Sequence, residues 1–422
     1  MDRFRLLPLV LSLALVTGCG LLPTKNGGEP EVEGPHRVPA KEAFSDGGDK
    51  GTPETVSHHW VGLSKVWEVP QLDEVPHRYG LVSDGTRFVG LRKEIDGSGE
   101  AELTGYDGAS GKKLWRQQLP WAAVATPVAS GETVVVPLGE EHETLKTPVE
   151  FVALDTTTGQ ERWRAKVSHR AFMGNHVSSR PAPEPGAILD GVFYYADGAK
   201  LIGRDLVTGK VRYQRTSKSH YALVGPRAAR DHLVVLVRPD PLKDTEGINT
   251  RVRSVAVLSK ALKPVHQFDF PEGEAPDEMV TSGDIVVVTS HGEPGRMWGL
   301  DARTGKNLWD QPLPRKIRLG LPVGGVLSLV DEEYRFIGHD MLTGEQLWTL
   351  ATRKGDNQSL RGRMVGVADG TLFGLGHGVE IVDTASGKVI FGHQFTPRGG
   401  GLVVAAGGRI VIYNHDGFMG FE

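Results

Sequence analysis

From Trp60 to the C-terminus the chain alternates short apolar runs with turn-forming residues. Thr133-Val-Val-Val136, Phe151-Val-Ala-Leu154 and Asp284-Ile-Val-Val-Val288 typify the runs. They are too short for helices and rich in β-branched side chains, so each predicts a strand. A turn dipeptide precedes such a run at Asp84-Gly85, Ser130-Gly131, Asp190-Gly191, Ser282-Gly283, Gly324-Gly325, Asp369-Gly370 and Gly407-Gly408. Asp231, before Leu233-Val-Val-Leu-Val237, marks one more turn without a glycine.

A second pattern interleaves with the first. Asp107, Asp155, Asp205, Asp301, Asp340 and Asp383 are each followed four residues on by glycine and eight residues on by an aromatic. Those aromatics are Trp115, Trp163, Tyr213, Trp309, Trp348 and Phe391. Asp closes an Asx-turn through its carboxylate. Gly supplies the positive φ that a Cβ opposes. The aromatic, on the outgoing strand, is a large apolar plug for a neighbouring element. An eroded copy is expected near Val255–Phe268. The last copy is split across the termini: the chain stops at Glu422 where the next Asp is due, and Ser64-Lys-Val-Trp67 reads as its missing outgoing strand.

The repeated Asp-x-x-[Thr/Ser]-Gly-x-x-x-aromatic resembles the PQQ-like, or quinoprotein-like, β-propeller repeat. Residues 60–422 shared among eight units give about 45 each, a common length for a four-stranded blade. The resemblance implies an all-β, eight-bladed propeller of four-stranded antiparallel blades. Pairing the N-terminal strand with the C-terminal blade would close it. It also implies that Trp67, Trp115, Trp163, Tyr213, Trp309, Trp348 and Phe391 dock between blades, with the fourth blade lacking the motif.

The first residues read differently. Arg3 and Arg5 precede an apolar run from Leu6 to Val16, a secretory signal pattern too short to remain as a spanning helix. Val16-Thr17-Gly18-Cys19 resembles the bacterial lipobox, and the single cysteine of the chain sits where that motif needs it. The resemblance implies lipid on Cys19. Residues 20–58 are rich in Gly, Pro, Glu and Asp. Such a stretch buries too little to order itself, so it predicts a tether with a root-mean-square reach of about 35 Å. The expected division is 1–19 signal peptide, 20–58 tether and 59–422 propeller.

Composition narrows the function. Forty-eight Lys and Arg against 52 Asp and Glu leave a net charge of −4, which argues against a general nucleic-acid binder. One cysteine permits neither an intrachain disulfide nor a multi-cysteine metal site. The Gly-Lys pairs at 111, 209, 305 and 387 lack the upstream glycine of a phosphate loop. No metal set is expected. PQQ and Ca²⁺ enter only under the alternative of a quinoprotein dehydrogenase, which the family includes beside plain scaffolds. Long segments in the second to fifth blades, with His169, Arg170, His176 and Arg180 in one of them, mark a candidate partner surface. From Lys200 to Arg230 there are eight Lys or Arg against one Asp, and Pro271–Thr281 is acidic. The expected molecule is a monomeric, lipid-anchored, extracytoplasmic scaffold for an envelope protein, without catalytic residues. The nearest described role for such a lipoprotein is in outer-membrane barrel assembly; a ligand- or wall-binding sensor is the remaining alternative.

Overall fold

The computed structural model describes residues 64–422 apart from 71–75, 94–100, 121, 124–126, 140–149, 168–185, 198–199, 217–219, 223–225, 240–253, 272–273, 275, 291–294, 314–317, 331–335, 351–364, 369–370, 376–377, 395–401 and 415–416. Every described element is a strand, and the strands form eight antiparallel sheets. Blade 1 holds Pro76–Ser83, Arg87–Lys93, Ala101–Asp107 and Lys113–Leu119, in that spatial order. Blades 2 to 7 repeat the meander, with outer strands Glu161–Lys166, Val211–Thr216, Pro264–Asp269, Lys306–Leu313, Gln346–Leu350 and Val389–Gln394. Blade 8 comprises Leu402–Ala406, Arg409–Asn414, Gly417–Phe421 and, as its outer strand, Lys65–Pro70. The first strands of successive blades lie beside one another, and that of blade 8 returns to blade 1.

The four-stranded antiparallel meander is the unit of the blades, with the inner strand of two of them described in two pieces. Six sheets have four strands, but those of blades 2 and 4 have five. In blade 2, Ala122–Ala123 and Val128–Ser130 both pair with Thr133–Gly139. In blade 4, His220–Ala222 and Arg227–Ala229 both pair with His232–Pro239. Pro127 and Pro226 stand immediately before the second pieces. Proline has no N–H to give a ladder, which suits a place just ahead of each second piece.

The core is partitioned among the seams. Val89, Leu91, Leu103 and Trp115 of blade 1 pack with Val134, Val136, Val152 and Leu154 of blade 2. Comparable clusters join blades 2 with 3, 3 with 4, 4 with 5, 5 with 6 and 6 with 7. At the closing seam, Phe88 and Tyr106 of blade 1 meet Val411, Tyr413 and Phe418 of blade 8. Their rings stack at 4.9 Å for Phe88–Tyr106 and 4.4 Å for Tyr413–Phe418. Central strands are therefore apolar on both faces, as in Thr133–Gly139, where every residue is buried.

The split blade is paired as the sequence predicts. Trp67 lies opposite Gly420, Glu68 opposite Met419 and Val69 opposite Phe418. Ser64 and Glu422 exchange backbone hydrogen bonds of 3.0 and 3.1 Å. Further bonds knit blade 8 to blade 1. Ser83 Oγ donates to Ala405 O at 2.5 Å, and the N–H of Gly407 donates to Gly85 O at 2.9 Å.

Candidate interaction surface

The repeat motif builds one turn over and over. Asp155 Oδ1 accepts the N–H groups of Thr157 and Thr158 at 2.8 and 2.9 Å, and the Gly159 N–H returns to Asp155 O at 2.8 Å. Gly159 has φ +73°, and the equivalent Gly111, Gly209, Gly305, Gly344 and Gly387 lie between +68° and +78°. Burial works against a charged Asp155, but hydrogen bonds from Arg162 and from the Thr158 and Thr157 amides outweigh it. They hold the carboxyl down at about 2. Asp205 is lowered chiefly by the Thr208 amide, and Asp107 chiefly by the Ser110 hydroxyl.

The turn of each blade receives the aromatic of the blade before it. Trp115 Nε1 donates to Thr156 O at 2.7 Å, Trp163 to Leu206 O at 2.8 Å, Trp309 to Met341 O at 3.0 Å and Trp348 to Thr384 O at 2.8 Å. In every case the acceptor is the residue after the motif Asp. The glycine is required twice over, for its φ and for space. A Cβ on Gly159 would stand 2.6 Å from the Trp115 ring, and one on Gly387 2.4 Å from Trp348. Trp67 seats on Gly111 in the same way, but its Nε1 finds no hydrogen-bond partner among the described residues.

Blade 4 departs from the motif, and its neighbours adapt. Its turn, Ser259–Lys263, is one residue shorter, and Leu262 takes the glycine place at φ +60°. The side chain of Leu262 is buried. The preceding blade presents Tyr213 instead of tryptophan, stacked on Tyr194 with the rings 4° from parallel. Tyr194 Oη donates to Lys260 O at 2.7 Å. Two tyrosines thus divide the work of one indole: Tyr213 supplies a ring, and Tyr194 supplies the donor. Burial pushes the Tyr194 phenol up, which keeps that donor protonated. At the next seam His266 occupies the aromatic slot. It seats on Gly305, with Nε2 2.9 Å from Arg303 O. Neither Tyr194 nor His266 was among the expected docking residues. Their signal is the shortened copy Ser259-Lys-Ala-Leu-Lys-Pro-Val-His266.

Trp67, Trp115, Trp163, Trp309 and Trp348 lie against Gly111, Gly159, Gly209, Gly344 and Gly387 in turn, and Tyr213 lies against Tyr194. The backbone of Phe391 pairs with Ile381, in the register that Trp348 has with Gly338. His169, Arg170, His176, Arg180 and Cys19 lie outside the described residues.

The basic stretch is described in large part, and it divides in two. Some cations are used internally. Arg212 pairs with Asp205, Arg230 with Asp284 at 3.1 Å and Lys260 with Asp190 at 3.1 Å. Arg204 donates to Tyr195 Oη at 3.0 Å and Gly209 O at 2.8 Å. Lys200, Lys210, Arg215 and Lys263 are exposed and pair with no carboxylate among the described residues. Arg215 makes one bond, to Leu262 O at 3.2 Å. Elsewhere the outer-strand arginines are neutralised: Arg116 by Glu102, and Arg164 by Glu150 at 2.6 Å and Glu161 at 2.9 Å. The outer side of blade 3, with the turn of blade 4, thus carries a net positive surface. Val207 and Val211 lie beside it, 56% and 48% exposed. Among the described residues no three His, Cys, Asp or Glu side chains converge to hold a metal ion.

A family model, PQQ_2, described as outer membrane protein assembly factor BamB, matches residues 64–230 and 254–415. No curated protein sequence matches the chain. Among solved structures, BamB from Moraxella catarrhalis superposes with a TM-score of 0.55 at 14% identity, covering 85% of this chain and 99% of that one. The computationally designed Ika8 protein gives 0.54 at 14% identity, covering 84% and 98%. A europium-containing methanol dehydrogenase gives 0.55 at 12% identity, covering 84% and 85%. At such identities the structural matches speak for the propeller fold.

Proposed function

The chain belongs to the family of outer membrane protein assembly factor BamB, and from that premise we infer that it works by binding other proteins, as a lipid-anchored scaffold on the extracytoplasmic side of the envelope. The observation that carries this reading is the reach of the family match, which takes in strands of all eight sheets. A second observation supports it. In the turns that keep the full motif, its side chains are spent on architecture: Asp on the turn, Gly on the approach and the indole on the next blade. Lipid on Cys19 would hold the molecule at a membrane surface, and residues 20–58 would let the propeller stand off it. No cofactor is needed for such work.

The methanol dehydrogenase match favours one rival, a quinoprotein oxidoreductase. That reading needs a cofactor cradle and a metal-ligand set, and the described residues offer no such set. Photo-crosslinking in intact cells, with mass spectrometry of the adducts, tests the scaffold. Adducts to a defined envelope protein are the expected outcome. Dye-linked oxidation of alcohols by the purified chain, on adding PQQ with Ca²⁺ or a lanthanide, would overturn it.

A further inference from the structure

The outer strand of blade 3, Val211–Thr216, differs from its counterparts. Five of its six residues are exposed. The corresponding strands of blades 1 and 2 bury Trp115 and Leu119, and Trp163 and Ala165, on their inward positions. Those of blades 4, 5 and 8 contain a proline and a carboxylate, both of which blunt a sheet edge. Val211–Thr216 contains neither, like Gln346–Leu350 of blade 6, but where that strand buries Trp348 and Leu350 this one buries no residue. Among the described residues it pairs only with Lys200–Asp205, so no described strand covers the backbone N–H and C=O groups of its outer side.

The side chains around this edge set the terms for a partner. Lys200, Lys210, Arg215 and Lys263 supply positive charge that no carboxylate among the described residues pairs with, and Val207 and Val211 supply apolar surface. A second copy of the same strand would bring arginine against arginine, so the edge resists self-pairing. We propose that Val211–Thr216 is a β-augmentation site for an extended acidic segment of a partner protein, one that alternates carboxylates with apolar side chains. Backbone bonds along the strand would give the affinity, and the charge would give the selection. The proposal rests on the scaffold reading and locates one contact of that scaffold. The exposed carboxylates of blade 4, Asp231 and Asp269, lie off the strand itself.

The test uses the full chain and a fluorescent ten-residue peptide of alternating Glu and Val. Saturable binding is expected, with slowed hydrogen exchange at the amides of 211–216. The triple variant Lys200→Glu, Lys210→Glu, Lys263→Glu should bind about tenfold or more weakly. So should a peptide N-methylated on alternate amides, because it cannot extend a ladder. Lys112→Glu with Lys113→Glu on blade 1 should leave binding within about twofold. An alternating Lys and Val peptide should not bind. Absence of binding, binding indifferent to N-methylation, or protection confined to other blades would each overturn the site. If in-cell adducts still form while the peptide result is negative, the scaffold stands and this edge is not its contact.

Discussion

At the scale of single residues, the docking indole is the unit of stability. Trp115 and Trp163 are each 8% exposed, and each donates into the following turn. Trp115→Ala should cost about 3–5 kcal/mol, read as a lowered denaturant midpoint. Gly159→Ala should also be costly, because it strains φ and drives a methyl into the Trp115 ring. The motif aspartates add a pH dependence. A carboxyl whose folded pKa lies below its unfolded value of about 4 stabilises the fold where it is charged. That contribution is complete at neutral pH and fades as pH falls from about 4 toward the value of about 2 held by Asp155. Asp155→Asn should therefore lose about 1–3 kcal/mol at pH 7, with the gap to the parent narrowing in acid unfolding below pH 4.

At the scale of elements, the turn is the repeated device, and its variants are as informative as its copies. The six full motifs are legible because Asp, Gly and aromatic stand at fixed offsets. The blade 4 turn was legible only as an eroded copy near Val255–Phe268, since it drops a residue and replaces Asp, Gly and Trp with Ser259, Leu262 and His266. Pattern matching loses a copy that has changed at every diagnostic position, whereas register recovers it: His266 lies opposite Val257 in the slot that Trp309 takes opposite Gly299. The two-piece inner strands of blades 2 and 4 were equally hidden, because their pieces are recognised only once they are seen to share one partner strand. Tyr194→Phe isolates the donor of the tyrosine pair. It should cost about 1–2 kcal/mol in urea unfolding, by leaving Lys260 O without its phenol. An unchanged midpoint would mean that Tyr213 carries the seam alone.

At the scale of the whole molecule, the ring was readable from the way its last repeat is divided between the termini. The partner surface was less readable, because loops carry no repeat to count and their side chains obey no period. Charge was the better guide. The excess of Lys and Arg between 200 and 230 coincides with the exposed side of blade 3. One prediction belongs to the entire chain. Cys19→Ser should move the protein from the membrane fraction to the soluble fraction after cell lysis, while its propeller stays folded. Retention in the membrane pellet would mean that lipid at Cys19 is not the anchor.

The pairing of Lys65–Pro70 with Gly417–Phe421 has a consequence for biosynthesis. The first described strand to leave the ribosome, Lys65–Pro70, has no described strand partner until Gly417–Phe421 follow it. Closure joins the most distant points of the folded region, the kind of contact that slows folding most. Until then two sheet edges stay raw, so a nascent chain stalled or nonsense-terminated near Asn414 would be a ready target for quality-control proteases. Loss of Gly417–Phe421 should therefore be as damaging as the deletion of a central strand from any other blade.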